Sequence, residues 1–358
     1  MSRGRDSRDK RNYGAGRRLE GYLTRYSLAE RAQKLSRRGS KSIEQGCSAL
    51  ASLAAYMKSR QITYLEKATP EMISGWANSL KDQLDLGQIS RSTTSSYVSA
   101  ANQVFRACNC EDLCISALSY GINRGLKYTN KDLSNSPEAQ VLLKTWLAEK
   151  IGEADGRLER LMLTALGISA DLQPVSGARF RESCLLKPHG KDVSNGMMEW
   201  NKTDGTKNGR SRLSHLYDAP SVIAAGNFID ANKDIFSKGS LVPGSMSYRH
   251  YERWAKTVLA KFRREAGIQY HWHGNRHQYA HRRYTDLWQA RSGVNVDPPV
   301  KASLFGPEHI RYIAERTGMT LGEVKAADID IRHAVARDLG HGDGDNPRHD
   351  VGWAYLGR

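Results

Sequence analysis

The chain has 358 residues, too many for one ordinary domain and about right for two. Hydrophobic residues make up 39%, enough for packed cores, and 54 Lys plus Arg against 38 Asp plus Glu give a net charge of +16. Such an excess favours a polyanionic partner, because each phosphate neutralised by Lys or Arg releases counterions. No apolar run approaches the roughly 20 residues of a membrane helix. The opening is polar and arginine-rich, without the apolar centre of a secretory signal. A soluble, cytoplasmic protein with no membrane partner is expected.

Residues 1–40 hold twelve Lys or Arg against four acids, a net +8 and half the total charge. This segment is expected to be a basic arm that orders on binding DNA, with a short helix near Leu28 to Leu35. The five cysteines are Cys47, Cys108, Cys110, Cys114 and Cys184, and an odd count argues against a disulfide framework. Cys108-x-Cys110-x-x-x-Cys114 lacks both a CxxC pair and an obvious fourth ligand, so free thiols are expected there.

Residues 41–130 read as a helical domain with its linker. Ile43, Leu50, Leu53, Ala54 and Met57 fall on one helical stripe. Thr69-Pro70-Glu71 reads as a cap with proline at the first helical position, opening a helix through Ile73, Trp76 and Leu80. Ser90-Arg91-Ser92-Thr93-Thr94 opens another, with Tyr97, Ala100, Ala101, Val104 and Phe105 on its apolar side. Residues 108–137, ending in Ser134-Asn135-Ser136-Pro137, have the composition of a linker.

Residues 131–358 read as a second, mostly helical domain. Helices are predicted from Val141 to Ile151, Leu158 to Leu166, Tyr248 to Arg264 and Gly274 to Ala290. A further helix from Ile331 to Leu339 ends with Gly340 in the C′ role. Met197 to Trp200 and Arg212 to Leu216 read as short strands around a turn containing Gly205 and Asn208-Gly209. Residues 292–328 look like an insertion, with a helix from Pro307 to Arg316 and a short one at Thr320, where Glu323 closes a capping box.

Four segments of this domain carry groups suited to holding a phosphate. In Gly177-x-Arg179-x-x-Glu182, Arg179 and Glu182 share one face of a helix start, and a guanidinium can fork onto two phosphate oxygens. Read alone, they are a surface ion pair, with Arg181 a further candidate cation. His273-x-x-Arg276 places both residues on one side of a first helical turn, where free amides and the helix dipole favour an anion. His273, His277 and His281 are spaced four apart, as on a metal-binding face, but HExxH is absent and no carboxylate falls among them. Leu339-Gly340-His341 puts a histidine just past a helix-ending glycine. Tyr355 is the lone tyrosine after His341, and its phenol, with an ordinary pKa of about 10, needs a base and a positive pocket to act as a nucleophile at pH 7.

Taken in order, Arg179, the hairpin lysine, His273-x-x-Arg276, Leu339-Gly340-His341 and Tyr355 resemble the tyrosine recombinases, or phage integrases. The resemblance runs from about residue 42 to residue 358. It implies a mainly α fold: an N-terminal helical core-binding, SAM-like domain, then a mostly helical catalytic domain with a small β-hairpin. It further implies Arg179 and Arg276 as phosphate clamps, with Lys207 (alternatively Lys202) as general acid for the departing 5′-oxygen. His273 becomes the acceptor of the tyrosine proton or a donor to a phosphate oxygen, His341 a donor to the scissile phosphate, and Tyr355 the nucleophile that forms a 3′-phosphotyrosyl link. Arg91, Lys202, Arg210, Arg212 and His277 are expected to contact DNA. The implied partner is duplex DNA, bound as a homo-tetramer, with accessory directionality proteins and with no cofactor or metal. Two departures stand out: Tyr355 lies fourteen positions after His341, and His341 sixty-five positions after Arg276, both more than is usual in the family. A type IB topoisomerase-like relaxing enzyme and a non-catalytic DNA-binding protein with a decayed site are the alternatives.

Overall fold

In a computed structural model, the described residues are 51–62, 67–107, 110–122, 130–206, 211–341 and 349–357. They fall into two compact units that divide between Lys127 and Tyr128. The fold is mainly helical, with one two-stranded antiparallel sheet among the described residues. The basic arm and its predicted short helix lie outside the described residues, as do Lys207 and Arg210. No helix among the described residues is long and apolar enough to cross a membrane.

The first unit contains α1 (residues 51–59), α2 (Pro70–Asp85) and α3 (Arg91–Ala107). Thr69, in extended geometry, accepts from the Met72 amide, and Pro70 occupies the first turn where its missing N–H costs nothing. Leu53, Met57, Ile73, Trp76, Leu80, Ala101 and Phe105 form the core. The segment expected to begin the linker is instead folded onto this core. Leu113 and Ile122 are buried in it, and the Asn102 side chain bonds both the N–H and the C=O of Ile115, at 3.1 and 2.7 Å. Among the described residues no group of cysteine, histidine and carboxylate side chains is placed to hold a metal ion.

The second unit opens with α4 (Pro137–Glu153), so Ser134-Asn135-Ser136-Pro137 is no linker. Ser136 caps α4 through the Ala139 amide at 3.1 Å, and Pro137 takes the first turn. Next come α5 (Arg157–Ser176), α6 (Phe180–Leu185), β1 (Met197–Trp200) and β2 (Arg212–His215), then α7 (Ala219–Ala231), α8 (Tyr248–Ala266) and α9 (Trp272–Ser292). Strand register pairs Met197 with His215 and Trp200 with Arg212.

Beyond α9, the segment expected as an insertion carries α10 (Pro299–Ala302) and α11 (Pro307–Thr317). It runs into α12 (Leu321–Asp338), and α13 (His349–Leu356) closes the unit. The short helix predicted at Thr320 and the one predicted from Ile331 are a single helix. Val324, Ala327, Ile331 and Val335 form one unbroken buried stripe along it, and Thr320 and Glu323 close the capping box at its start. Val296, Ile313, Val324 and Ala327 share a core with Tyr279, Tyr284, Trp288, Tyr355 and Leu356. Residues 292–328 are thus packed beneath the C-terminal helix rather than standing apart.

Candidate active site

Gly177 ends α5 with a left-handed φ of +66°, and its N–H bonds the Gln173 carbonyl at 2.9 Å. A Cβ there would lie 2.8 Å from Tyr279 and 3.2 Å from Leu339. Gly177→Ala is therefore expected to cost about 1–3 kcal/mol in backbone strain and about as much again in crowding, measured by urea denaturation. The turn hands the chain to Arg179, the N-cap of α6. Glu182 reaches back to the Arg179 N–H at 2.8 Å and to the Arg179 Nη1 at 2.7 Å.

Glu182 is fully buried and organises more than this pair. Arg212 donates both Nη atoms to it, at 3.0 and 2.8 Å, and Arg276 Nη1 lies 3.9 Å away. Burial alone would raise the Glu182 pKa, but Arg212, Arg179 and Arg276 together hold it at about 2. Three guanidiniums face one carboxylate, an excess of two positive charges. Arg179 stays cationic at neutral pH, although desolvation and then Arg276 lower its pKa to about 10.

The second arginine comes from the first turn of α9. Asn135 fixes that turn by accepting from the His271 N–H at 3.0 Å and donating to the His271 carbonyl at 2.9 Å. It also donates to Asn275, whose own amide donates to the Tyr270 hydroxyl at 2.8 Å. Gly274 permits this approach, since a Cβ there would fall 2.4 Å from the Asn135 oxygen. Arg276 is 0% exposed, so every donor it carries must find a protein partner. Its Nη1 donates to the Gly177 carbonyl, its Nη2 to the Leu339 carbonyl, and its Nε to the Tyr355 hydroxyl at 3.0 Å.

His341 is placed by the end of α12. The Gly340 N–H bonds the Arg337 carbonyl at 2.7 Å and the His341 N–H bonds the Ala336 carbonyl at 2.8 Å, the paired contacts of a Schellman motif. Gly340 has φ +66°, and Arg212 passes where its Cβ would stand, at 2.6 Å. The His341 Nε2 lies 3.1 Å from Arg276 Nη2, 3.4 Å from Arg179 Nη2 and 3.4 Å from the Tyr355 hydroxyl. A guanidinium can only donate, so this nitrogen is an acceptor and the ring proton sits on Nδ1.

Tyr355 is 5% exposed, and three imidazole rings surround its phenol: His277, His273 and His341 at centroid distances of 4.7, 5.5 and 5.7 Å. His273 is the most exposed of the three. Desolvation, then Arg276 and Arg179, hold its pKa near 4, so it is a neutral acceptor at pH 7. Desolvation and the neighbouring histidines lower His277 to about 3. Unfolded histidines titrate near 6.5, so between pH 6.5 and 4 the unfolded chain binds more protons and stability falls as pH falls. The thermal midpoint of the wild type should therefore drop more between pH 7 and 5 than that of His277→Gln, which lacks one of the two groups.

The structure brings Arg179, Arg276 and Tyr355 around the His341 Nε2, with Arg276 also bonded to Tyr355 and His273 beside them. Lys202 is exposed on the 3₁₀ turn Lys202–Asp204, and Arg91 is exposed at the start of α3 in the first unit. Two residues expected to contact DNA face inward. Strand alternation turns Arg212 inward over the Trp200 ring, at 4.9 Å, and leaves Leu213 outside, so its guanidinium serves Glu182. His277, on the inner face of α9, is a neutral ring packed on Tyr355 rather than a cation at the surface. Sequence reasoning also missed Asn135, and it reduced Glu182 to a surface partner. The Glu182 spacing was a usable signal; for Asn135 there was none.

No family model matches the chain, and no curated protein does. Among solved structures it is similar to XerH site-specific recombinase bound to a palindromic difH substrate. That match has 15% identity and a TM-score of 0.47, covering 87% of this chain and 90% of that one. It is also similar to a lambda integrase dimer bound to a COC′ core site, with 14% identity and a TM-score of 0.45, covering 87% and 77%. XerA recombinase is a further match, at 15% identity and a TM-score of 0.28.

Proposed function

We propose that the protein is a tyrosine-type site-specific DNA recombinase that cleaves and rejoins duplex DNA through a 3′-phosphotyrosyl intermediate. One observation carries this reading: the Tyr355 hydroxyl lies 3.0 Å from Arg276 Nε and 3.4 Å from an acceptor nitrogen of His341 that Arg179 also meets. A phenol, two guanidiniums and neutral imidazoles on one spot are the groups needed to attack a phosphodiester without a metal.

In the reaction, Tyr355 Oη bonds the phosphorus and the bond from phosphorus to the 5′-oxygen breaks. The phenol proton passes to the unprotonated nitrogen of His341 or to His273, and Lys207 protonates the departing 5′-oxygen. Arg179, with 22% of its side chain exposed against none for Arg276, is the arginine that meets the phosphate first. Arg276 Nε then exchanges the phenol oxygen for a phosphate oxygen as the phenol moves onto phosphorus. The link conserves the phosphodiester energy, so a 5′-hydroxyl can reverse the step and rejoin a strand. Exchange between two duplexes on a homo-tetramer, steered by accessory directionality proteins, completes the proposal. Lys202, Arg210 and Arg91 are the surface cations proposed to grip DNA.

The test is to incubate the chain with a pool of nicked duplexes of randomised sequence, trap protein on DNA, and map the modified peptide by mass spectrometry. A phosphodinucleotide on Tyr355 is expected. An adduct on another residue, or none, overturns the reading. Joined products from two DNA sites, rather than relaxation of supercoils alone, separate a recombinase from a topoisomerase.

A further inference from the structure

The carbonyl end of α13, the helix that carries Tyr355, is held by buried side chains from two other helices. His281, on α9, bonds the Tyr355 carbonyl through Nε2 at 2.8 Å, and Arg332, on α12, donates Nη1 to the Gly357 carbonyl at 2.7 Å. Arg332 is 7% exposed, and such a charge is tolerated inside only when its donors are met. Asp328 meets one of them, accepting from Arg332 Nε at 2.6 Å while its other oxygen accepts from the Tyr284 hydroxyl. Gly357 backs onto residues of the 292–328 segment. A Cβ at 357 would stand 2.7 Å from Val300 and 3.3 Å from Phe305.

The last carbonyls of a helix have no partner within it and are usually met by water or by a glycine turn. Here Gly357 closes such a turn on the Trp353 carbonyl, and the Tyr355 and Gly357 carbonyls are met in addition by side chains of fixed direction. Tyr355 is the next-to-last residue of an eight-residue helix, so fixing those carbonyls fixes the phenol. One residue of slippage would rotate it by roughly 100° about the helix axis, out of reach of Arg276.

We infer that residues 292–328 with Asp328, Arg332 and His281 form a seat that locks the C-terminal helix onto its own catalytic unit. Arg332 and His281 are positioning residues that aim the Tyr355 oxygen. This rests on the reading of Tyr355 as nucleophile. It assigns a task to the additional segment and explains how a helix reached by a long connection from His341 is brought to a defined place.

The test uses the full chain and the same pool of nicked duplexes, with three readouts: single-turnover adduct formation, DNA affinity, and hydrogen exchange of the 349–357 amides. Arg332→Met keeps the bulk and removes the donors. It is expected to slow adduct formation at least about tenfold and to speed exchange in α13 by a similar factor, with DNA affinity within about twofold. His281→Asn should act in the same direction, and Arg332→Lys, which can still reach a carbonyl, should recover part of the loss. If Arg332→Met and His281→Asn react within twofold of wild type, or if α13 exchange is unchanged, the seat does not position Tyr355. If the wild type forms no adduct at all, the recombinase reading fails by itself, and the exchange data still decide whether the seat holds the helix.

Discussion

Tyr355→Phe is expected to reduce covalent protein–DNA adduct below detection while leaving DNA affinity within about twofold of wild type. The phenol oxygen is the atom that would bond phosphorus, so no partial activity survives its removal. The phenylalanine ring keeps the packing against His273, His277 and His341, and α13 keeps both of its buried carbonyl contacts. What is lost besides the nucleophile is the long contact to His341 and, more costly, the partner of Arg276 Nε, a buried charged donor. Leaving it unmet should lower stability by about 1–3 kcal/mol. Gel trapping, filter binding and urea denaturation on one preparation separate these effects. Equal adduct from wild type and Tyr355→Phe would move the nucleophile elsewhere in the chain.

The second large effect is expected at Glu182. Removing this carboxylate leaves Arg179, Arg212 and Arg276 facing one another in a space with little water. Breaking a buried ion pair from one side typically costs about 3–5 kcal/mol. Glu182→Gln should fall in that range by urea denaturation, with adduct formation reduced as well, because Arg179 and Arg212 lose the group that aims them. The acid limb gives a separate signature. Glu182 has a pKa of about 2 in the folded chain against roughly 4.3 when unfolded. Its contribution is therefore present above pH 4.3 and is lost as pH falls toward 2. Glu182→Gln should flatten the stability profile across that window.

Much of this was legible in the sequence because it rests on local rules. Thr69-Pro70, Thr320 with Glu323, and Leu339-Gly340-His341 are capping signals whose geometry is set within five residues, and each forms as its spacing predicts. Arg179, Arg276, His341 and Tyr355 were found as ordered motifs, and the fold brings them together. What could not be read depends on partners far away along the chain. Asn135 lies in a stretch with a linker's composition, yet its partner is the backbone of His271. The parity of a four-residue strand decides whether Arg212 points in or out, and no alternation is long enough to show it. The 292–328 segment reads as an insertion because Arg276 and His341 lie further apart than the resemblance implies; its apolar residues Val296, Ile313, Val324 and Ala327 share one core with Tyr355 and Leu356, distant in sequence from most of them.

Two uncompensated positive charges around Glu182 carry a consequence for the protein as a whole. Such an arrangement lowers stability through self-repulsion, and any tetrahedral anion that enters relieves it. Sulfate or inorganic phosphate at millimolar levels should thus raise the melting temperature by mass action, and a nucleic acid more so. The DNA proposed to bind here would then act as a folding partner as well as a substrate, and low-salt buffer without anions is expected to give the lowest melting temperature.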